Sequence, residues 1–219
     1  MADTKISNLT ALAGASVATG TDVLAIVDDS VTTTKKILID ELAVAMAATQ
    51  AEANTMTSTN TLLTPNINKI VLGTTQASTS SSSINFTSIP AGVRRITVCF
   101  VGVSTNGTAD LFVQIGDAGG LETTGYLGSY GVAGGSANAT TGFGIYIANA
   151  AYVIHGTLTL TLVDSTTFTW VAAGSQGSSD SASVAHTTGS KSLSAELDRL
   201  SIVTTDTFDL GSINISYER

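Results

Sequence analysis

Little in this chain could support ionic chemistry. Lys, Arg, Asp and Glu together make up 12% of the 219 residues, against ~25% in an ordinary globular domain. Solubility therefore rests on hydroxyls and amides, and few like charges hold copies of such a surface apart. The balance is acidic, with a formal net charge of −8. An acidic chain has no basic stripe with which to grip phosphates, so nucleic acid is not an expected partner.

Cysteine is scarcer still. Cys99 stands alone, which excludes a disulfide framework and a zinc knuckle. Its place in a strand pattern predicts a small buried hydrophobe rather than a nucleophile. The two histidines, His155 and His186, have no nucleophile elbow nearby, so no triad is expected. Long apolar runs are missing too. ILIDELAVAMAA is the most apolar stretch, and it is too short and too acidic to insert in a membrane. The opening MADTKISNLTAL lacks the basic-then-apolar order of a signal peptide.

What the chain does have is alternation. Residues 156 to 172 read GTLTLTLVDSTTFTWVA. A period of two is the strand period, so Leu158, Leu160 and Leu162 share one face and Thr157, Thr159 and Thr161 the other. After a turn at Asp164-Ser165-Thr166, Phe168 and Trp170 resume the apolar face. Trp170 is expected in the core, given the area it would bury, rather than as a sugar platform. The threonine face is either wet or packed against another copy of itself.

The same alternation recurs as Ile96, Val98, Phe100 and as Ile213, Ile215, Tyr217. Strands are predicted near 70–74, 83–87, 94–104, 111–116, 143–148, 152–163, 167–173, 182–186, 200–204 and 212–217. Asn106-Gly107 between two of them predicts a tight hairpin. Residues 117–142, rich in glycine, read as one long excursion, where binding on a rigid scaffold usually resides. The fold class is thus mainly β, with a jelly-roll-like β-sandwich over residues 69–219.

The first fifty residues differ. Two short strands, over 21–28 and 32–39, precede a helix capped by Asp40. This strand–strand–helix module over residues 1–50 is too small to be stable alone and must lean on something else. Residues 51–68 are polar, contain Pro65, and read as a linker.

Acids near glycine carry the remaining chemistry. Asp117 and Glu122 flank a glycine loop and could contribute to a calcium site, but the loop offers too few acids for a tight one. Aspartates beside glycines otherwise serve turns. No cofactor is expected. Tyr126 and Tyr130, in the long glycine-rich segment, are predicted to be exposed contacts that stack on a sugar or plug a neighbouring subunit.

Two regions carry a resemblance. KISNLTAL (5–12), DVLAIVD (22–28) and TKKILIDEL (34–42) resemble the N-terminal module of many bacteriophage virion proteins. SINFTSIPAGVRRITV (83–98), GVSTNGT (102–108), QIGDAGGLETTGY (114–126) and DTFDLGSINISYE (206–218) are similar to a β-domain of phage tail and appendage proteins. The resemblance implies a non-enzymatic tail-fibre or appendage subunit located in the virion. It implies a homo-oligomer, commonly a trimer, docked by its N-terminus on a tail hub or a capsid. Ile6, Leu9, Leu12, Val23, Ile26, Ile37 and Leu42 would anchor that module. Tyr126, Tyr130, Asp117 and Glu122 would face the host surface and its carbohydrate. A capsid decoration protein or head fibre is the alternative within this class, and a free carbohydrate-binding module the alternative outside it.

Overall fold

The chain divides into two compact units, Met1–Ile67 and Asn68–Arg219. The computed structural model describes the backbone of two strands in the first unit and all of residues 70–219 in the second. In the first unit, β1 (Val23–Val27) pairs antiparallel with β2 (Thr34–Leu38), with Val23 opposite Leu38 and Ile26 opposite Lys35. Val23, Ile26 and Ile37 of the expected anchoring set lie on these strands. Ile6, Leu9, Leu12, Leu42 and the expected helix from Asp40 lie outside the described residues.

The second unit is all β among its described residues, in two antiparallel sheets. The larger has nine strands: β3 (Val71–Leu72), β4 (Gln76–Ala77), β6 (Arg95–Thr105), β9 (Leu127–Val132), β10 (Gly135–Asn138), β12 (Ile154–Asp164), β13 (Thr169–Ser178), β14 (Ser183–Ser192) and β16 (Phe208–Glu218). Their order is β10-β9-β14-β13-β12-β6-β16-β3, with β4 also on β16. The smaller sheet holds β5 (Ser83–Phe86), β7 (Leu111–Asp117), β8 (Gly120–Leu121), β11 (Phe143–Ile145) and β15 (Arg199–Val203). It runs β11-β7-β15-β5, with β8 on β7.

The period of two sorts the side chains. From the larger sheet, Ile96, Val98, Leu158, Leu160, Trp170 and Ile213 turn inward. From the smaller, Leu111, Val113, Ile115, Leu200 and Ile202 meet them, and all belong to one buried cluster. Trp170 is 2% exposed, so the core placement expected from its strand position holds.

Several sequence expectations need correction. Asn106-Gly107 does not close a hairpin, because β6 and β7 belong to different sheets. The turn is a crossover, pinned by Asp206 Oδ2 accepting from Ala109 N at 2.7 Å and Asn106 Oδ1 accepting from Thr207 N at 3.0 Å. Residues 117–142 are not one excursion. They contain β8, β9 and β10, and β9 pairs with β14 along six residues from Leu127 to Val132. β14 itself runs to Ser192, well past the expected end at His186. Cys99 is half-buried rather than buried, since it points to the outer face of the larger sheet beside Thr157 and Asn214. Phe168 precedes its strand in a left-handed turn conformation, φ 48°, and packs partly on the core.

Candidate functional site

The outer face of the nine-stranded sheet is built by the residues that the period of two leaves over. Cross-strand register sets Ser216 opposite Thr97, Thr97 opposite Thr159, Thr159 opposite Ala173, Ala173 opposite Thr188 and Thr188 opposite Ser129. This row crosses six strands, and five spacings of about 4.8 Å make it about 24 Å long. A parallel row runs Asn214, Cys99, Thr157, Ser175, His186 and Gly131. The threonine side of GTLTLTL therefore belongs to a surface of hydroxyls and small side chains. Arg95 and Glu218, directly opposite each other, and Asp164, which the register sets opposite Thr169, are charged residues of this face, and all three lie toward one end.

Large aliphatic side chains punctuate this face. Val171 and Val184 are exposed, as is Val101 at 59%. Near one margin Ser175 Oγ lies 3.0 Å from His186 Nδ1, and Thr169 Oγ1 lies 2.7 Å from Ser192 Oγ. The central hydroxyls of Thr97, Thr159 and Thr188 make no side-chain hydrogen bond among the described residues. A hydroxyl both donates and accepts, so a field of them complements a second copy of itself. A field of one charge sign would repel its copy.

The residues expected to face a receptor do something else. Tyr126 and Tyr130 are buried, at 2% and 7% exposure, not exposed as their glycine-rich surroundings suggested. The Tyr126 hydroxyl accepts from Ile115 N at 2.8 Å and donates to Glu122 O at 2.9 Å, and its ring meets Phe143 edge-on. The Tyr130 hydroxyl donates to Asp110 Oδ2 at 2.8 Å, while Asp110 Oδ1 accepts from Ile147 N at 2.7 Å. Both rings thus seal the space between the sheets, and a phenol needs a polar partner when so placed.

Asp117 and Glu122 are also occupied within the fold. Asp117 is buried and accepts from Ser194 Oγ at 2.5 Å and from Gly119 N at 2.8 Å. The Ser194 bond, then the Gly119 bond, hold its carboxyl below the ordinary value. Glu122 takes an ion pair from Lys191, whose side chain is 8% exposed, and a bond from Ser194 N at 2.7 Å. Burial pushes the Glu122 carboxyl up, but the Lys191 and Ser194 bonds and the Lys191 charge outweigh it and leave it lowered. Lys191 Nζ also sits 5.6 Å from the Tyr126 ring centre. Together these groups fasten the loop after β8 to β14. No cluster of three or more His, Cys, Asp or Glu able to hold a metal occurs among the described residues.

Sequence reasoning grouped Asp110 with acids that serve turns and passed over Lys191; both lie far along the chain from the residues they hold. It also missed that Thr97 and Thr188 continue the threonine face of β12. The last had a signal, because Thr188, Ser190 and Ser192 alternate.

The phenols give a testable alkaline limit. Burial, with the hydrogen bond to Asp110 and its charge, pushes Tyr130 up to about 12, and burial raises Tyr126 strongly. The fold favours their neutral forms, while unfolded phenols titrate near ~10. The stabilisation is complete below ~10 and is lost as pH rises through about 12 for Tyr130. In an alkaline titration, the last tyrosinate absorbance should rise together with loss of the β circular-dichroism signal. Full ionisation of every tyrosine with the signal intact would show these two phenols to be accessible.

Comparison with family models, with curated proteins and with solved structures finds no match to this chain.

Proposed function

We propose that this chain is a non-enzymatic structural subunit of a phage virion, of the tail-fibre or appendage type, working as a homo-oligomer. The N-terminal module docks on the particle. The second unit, a sandwich of the jelly-roll kind, projects from it and packs against sister copies. The sequence resemblance within residues 5–42, 83–126 and 206–218 motivates the virion setting.

The observation that carries assembly is the uncharged central part of the outer face of the nine-stranded sheet. Its central row, from Ser216 through Thr97, Thr159, Ala173 and Thr188 to Ser129, holds no ionic group. A chain of net charge −8 that keeps its charges away from the centre of so broad a face has lowered the main obstacle to contact between copies there. Hydroxyl pairs across that contact would be wet and cumulative rather than strong singly.

Light scattering coupled to size exclusion on the full chain tests this reading. The expected mass is that of a trimer. Ala173 is exposed at the centre of the row, so Ala173→Glu buries no charge within one chain and should leave its circular dichroism unchanged. In the assembly it would bring like charges together, and the expected mass falls to that of a single chain. A wild-type monomer at every concentration measured would overturn the assembly. Immunogold electron microscopy of intact particles, with antibody to the second unit, should decorate the tail. Label on the capsid would move the subunit to the decoration or head-fibre class, and no label on particles would overturn the virion setting.

A further inference from the structure

In the middle of the nine-stranded sheet one glycine falls out of step with its neighbours. β6 pairs with β12 on one side and β16 on the other, and Gly102 is the one residue of β6 with no cross-strand partner on either. The register to β12 pairs Val103 with Ile154 and then Phe100 with Gly156, so Val101 and Gly102 together oppose His155 alone. Such a bulge bends the strand and leaves the extra residue outside the ladder. The register to β16 shifts at the same place, between Leu210 and Ser212. Gly102 stands at φ +65° and Gly211 at φ +92°, and a Cβ on Gly211 would fall 2.2 Å from Gly102 O. Glycine at both positions lets the two backbones meet with these dihedrals.

A side chain meets the donor that the bulge leaves over. Gly102 N donates to His155 Nδ1 at 3.3 Å. An imidazole nitrogen accepts only while it carries no proton, so this bond belongs to the neutral ring with its hydrogen on Nε2. Protonation places a hydrogen on Nδ1, and two donors then face each other. The chain's other histidine, His186, makes a contact of a different kind. Its Nδ1 lies 3.0 Å from Ser175 Oγ. A hydroxyl donates to a bare nitrogen or accepts from a protonated one, simply by turning about its C–O bond. His186 tolerates protonation where it stands, and His155 does not.

We infer that His155 is an acid-released latch on the bend of the nine-stranded sheet. The neutral ring closes the bulge by accepting from Gly102 N, and the imidazolium lets it go. β6 and β13, the strands beside β12, set Val101, Gly102 and Gly177 against the ring, and none of these ionises. The β13–β14 turn adds one charge, Asp180, which accepts from Ser178 Oγ and from Val153 N at 3.0 Å. The Ser178 bond, then the Val153 bond, hold its carboxyl below the ordinary value, so its charge is already present in mild acid. Histidine is the side chain that ordinarily changes charge between about pH 5 and 8, so the ring is the group that changes there. His155 is exposed, and so is Val101 opposite it. Release therefore loosens β6 against β12 at the margin of the outer face and sets a positive charge there. The latch lies within one chain, whether or not copies assemble.

NMR of the full chain carrying isotope-labelled histidine reads both rings, and His155→Asn shows which signals belong to which. At neutral pH the His155 signals should be those of the Nε2–H tautomer. Hydrogen exchange at the Gly102 amide, divided by the intrinsic rate at each pH, should lose about fivefold protection as the His155 ring protonates, the loss expected of one hydrogen bond. Asparagine places a carbonyl oxygen where Nδ1 stands, and that oxygen accepts at every pH. His155→Asn should therefore keep Gly102 protected through the same titration, while His155→Phe, with no acceptor, should leave it unprotected throughout. The asparagine variant passes through the same acid and the same changes of oligomeric mass, so the comparison separates the latch from assembly. Thermal melts show that each variant is folded. The Nδ1–H tautomer at neutral pH, or constant Gly102 protection while the His155 ring protonates, would overturn the latch. A fall of equal size in His155→Asn would overturn it too, because the ring would then not be its cause.

Discussion

Gly144→Ala should unfold this protein at a much lower temperature than any exposed substitution. A Cβ at Gly144 would stand 2.3 Å from Cδ1 and 2.4 Å from Cε1 of the Tyr130 ring. The ring cannot move aside cheaply. Phe112 meets it edge-on at 5.7 Å, and its hydroxyl is tied to Asp110. Gly144 is held in turn by its pairing with Phe112 and by Thr187 Oγ1, which donates to its carbonyl at 2.6 Å. Overpacking typically costs ~1–3 kcal/mol, and losing the hydroxyl's charged acceptor adds ~1.5–3 kcal/mol. A total of about 4 kcal/mol corresponds to a melting-temperature drop of about 10 °C for a domain of this size. Calorimetry checks it. Tyr130→Ala in the same chain should make the Gly144→Ala effect far smaller, because the clash needs both partners. Equal costs in the two backgrounds would show that the ring is not what excludes a side chain at Gly144.

Lys191→Met gives the second large effect, and its size depends on pH. With the ammonium gone, Glu122 keeps Ser194 N but loses its counter-charge in a site where its side chain is 26% exposed. Breaking a fully buried pair costs ~3–5 kcal/mol. Partial exposure of Glu122 reduces that to about 2 kcal/mol, or roughly 4–8 °C in melting temperature. The folded Glu122 carboxyl is lowered in the wild type, so its stabilisation is present above the unfolded value of about 4.3. It disappears as pH falls through the folded value. In Lys191→Met burial is left less opposed and the carboxyl is no longer held as low, so the variant has less stability to lose on protonating Glu122, and its deficit against the wild type should shrink as pH falls through the folded value. Melts of both proteins across the acid range test this, and a deficit of the same size at every pH would show that Glu122 does not depend on Lys191.

Most of the apolar pattern was legible because strands have a strict period. The leucines of GTLTLTL, the run Ile96, Val98, Phe100 and the pair Ile213, Ile215 all face the core where alternation places them. β9 and β10 were illegible for a physical reason. LGSYGV and GSAN offer few β-branched side chains, and the glycines that weaken a strand signal are required by close packing. A Cβ on Gly131, at φ +148°, would fall 2.3 Å from Gly135 O. Tyr126 and Tyr130 were misplaced for the same reason, since glycine-rich surroundings usually mark loops. The roles of Asp110 and Lys191 could not be found at all, because they exist only once distant strands are side by side. The hydroxyl face was half visible. One strand announced it, and pairing revealed its width.

The placement of β16 sets a timetable for synthesis. It lies between β6 and β3 in the larger sheet, pairing with β6 from Phe208–Thr105 to Glu218–Arg95. At ~5–20 residues per second, β6 leaves the ribosome on the order of ten seconds before β16 is complete. During that interval the nascent chain presents β6 with one bare margin and Ile96, Val98 and Phe100 only partly covered. Trigger-type chaperones that hold extended apolar segments have a defined window on this polypeptide. Slowing translation between β15 and β16 should lengthen it and raise the share of newly made protein lost to inclusion bodies.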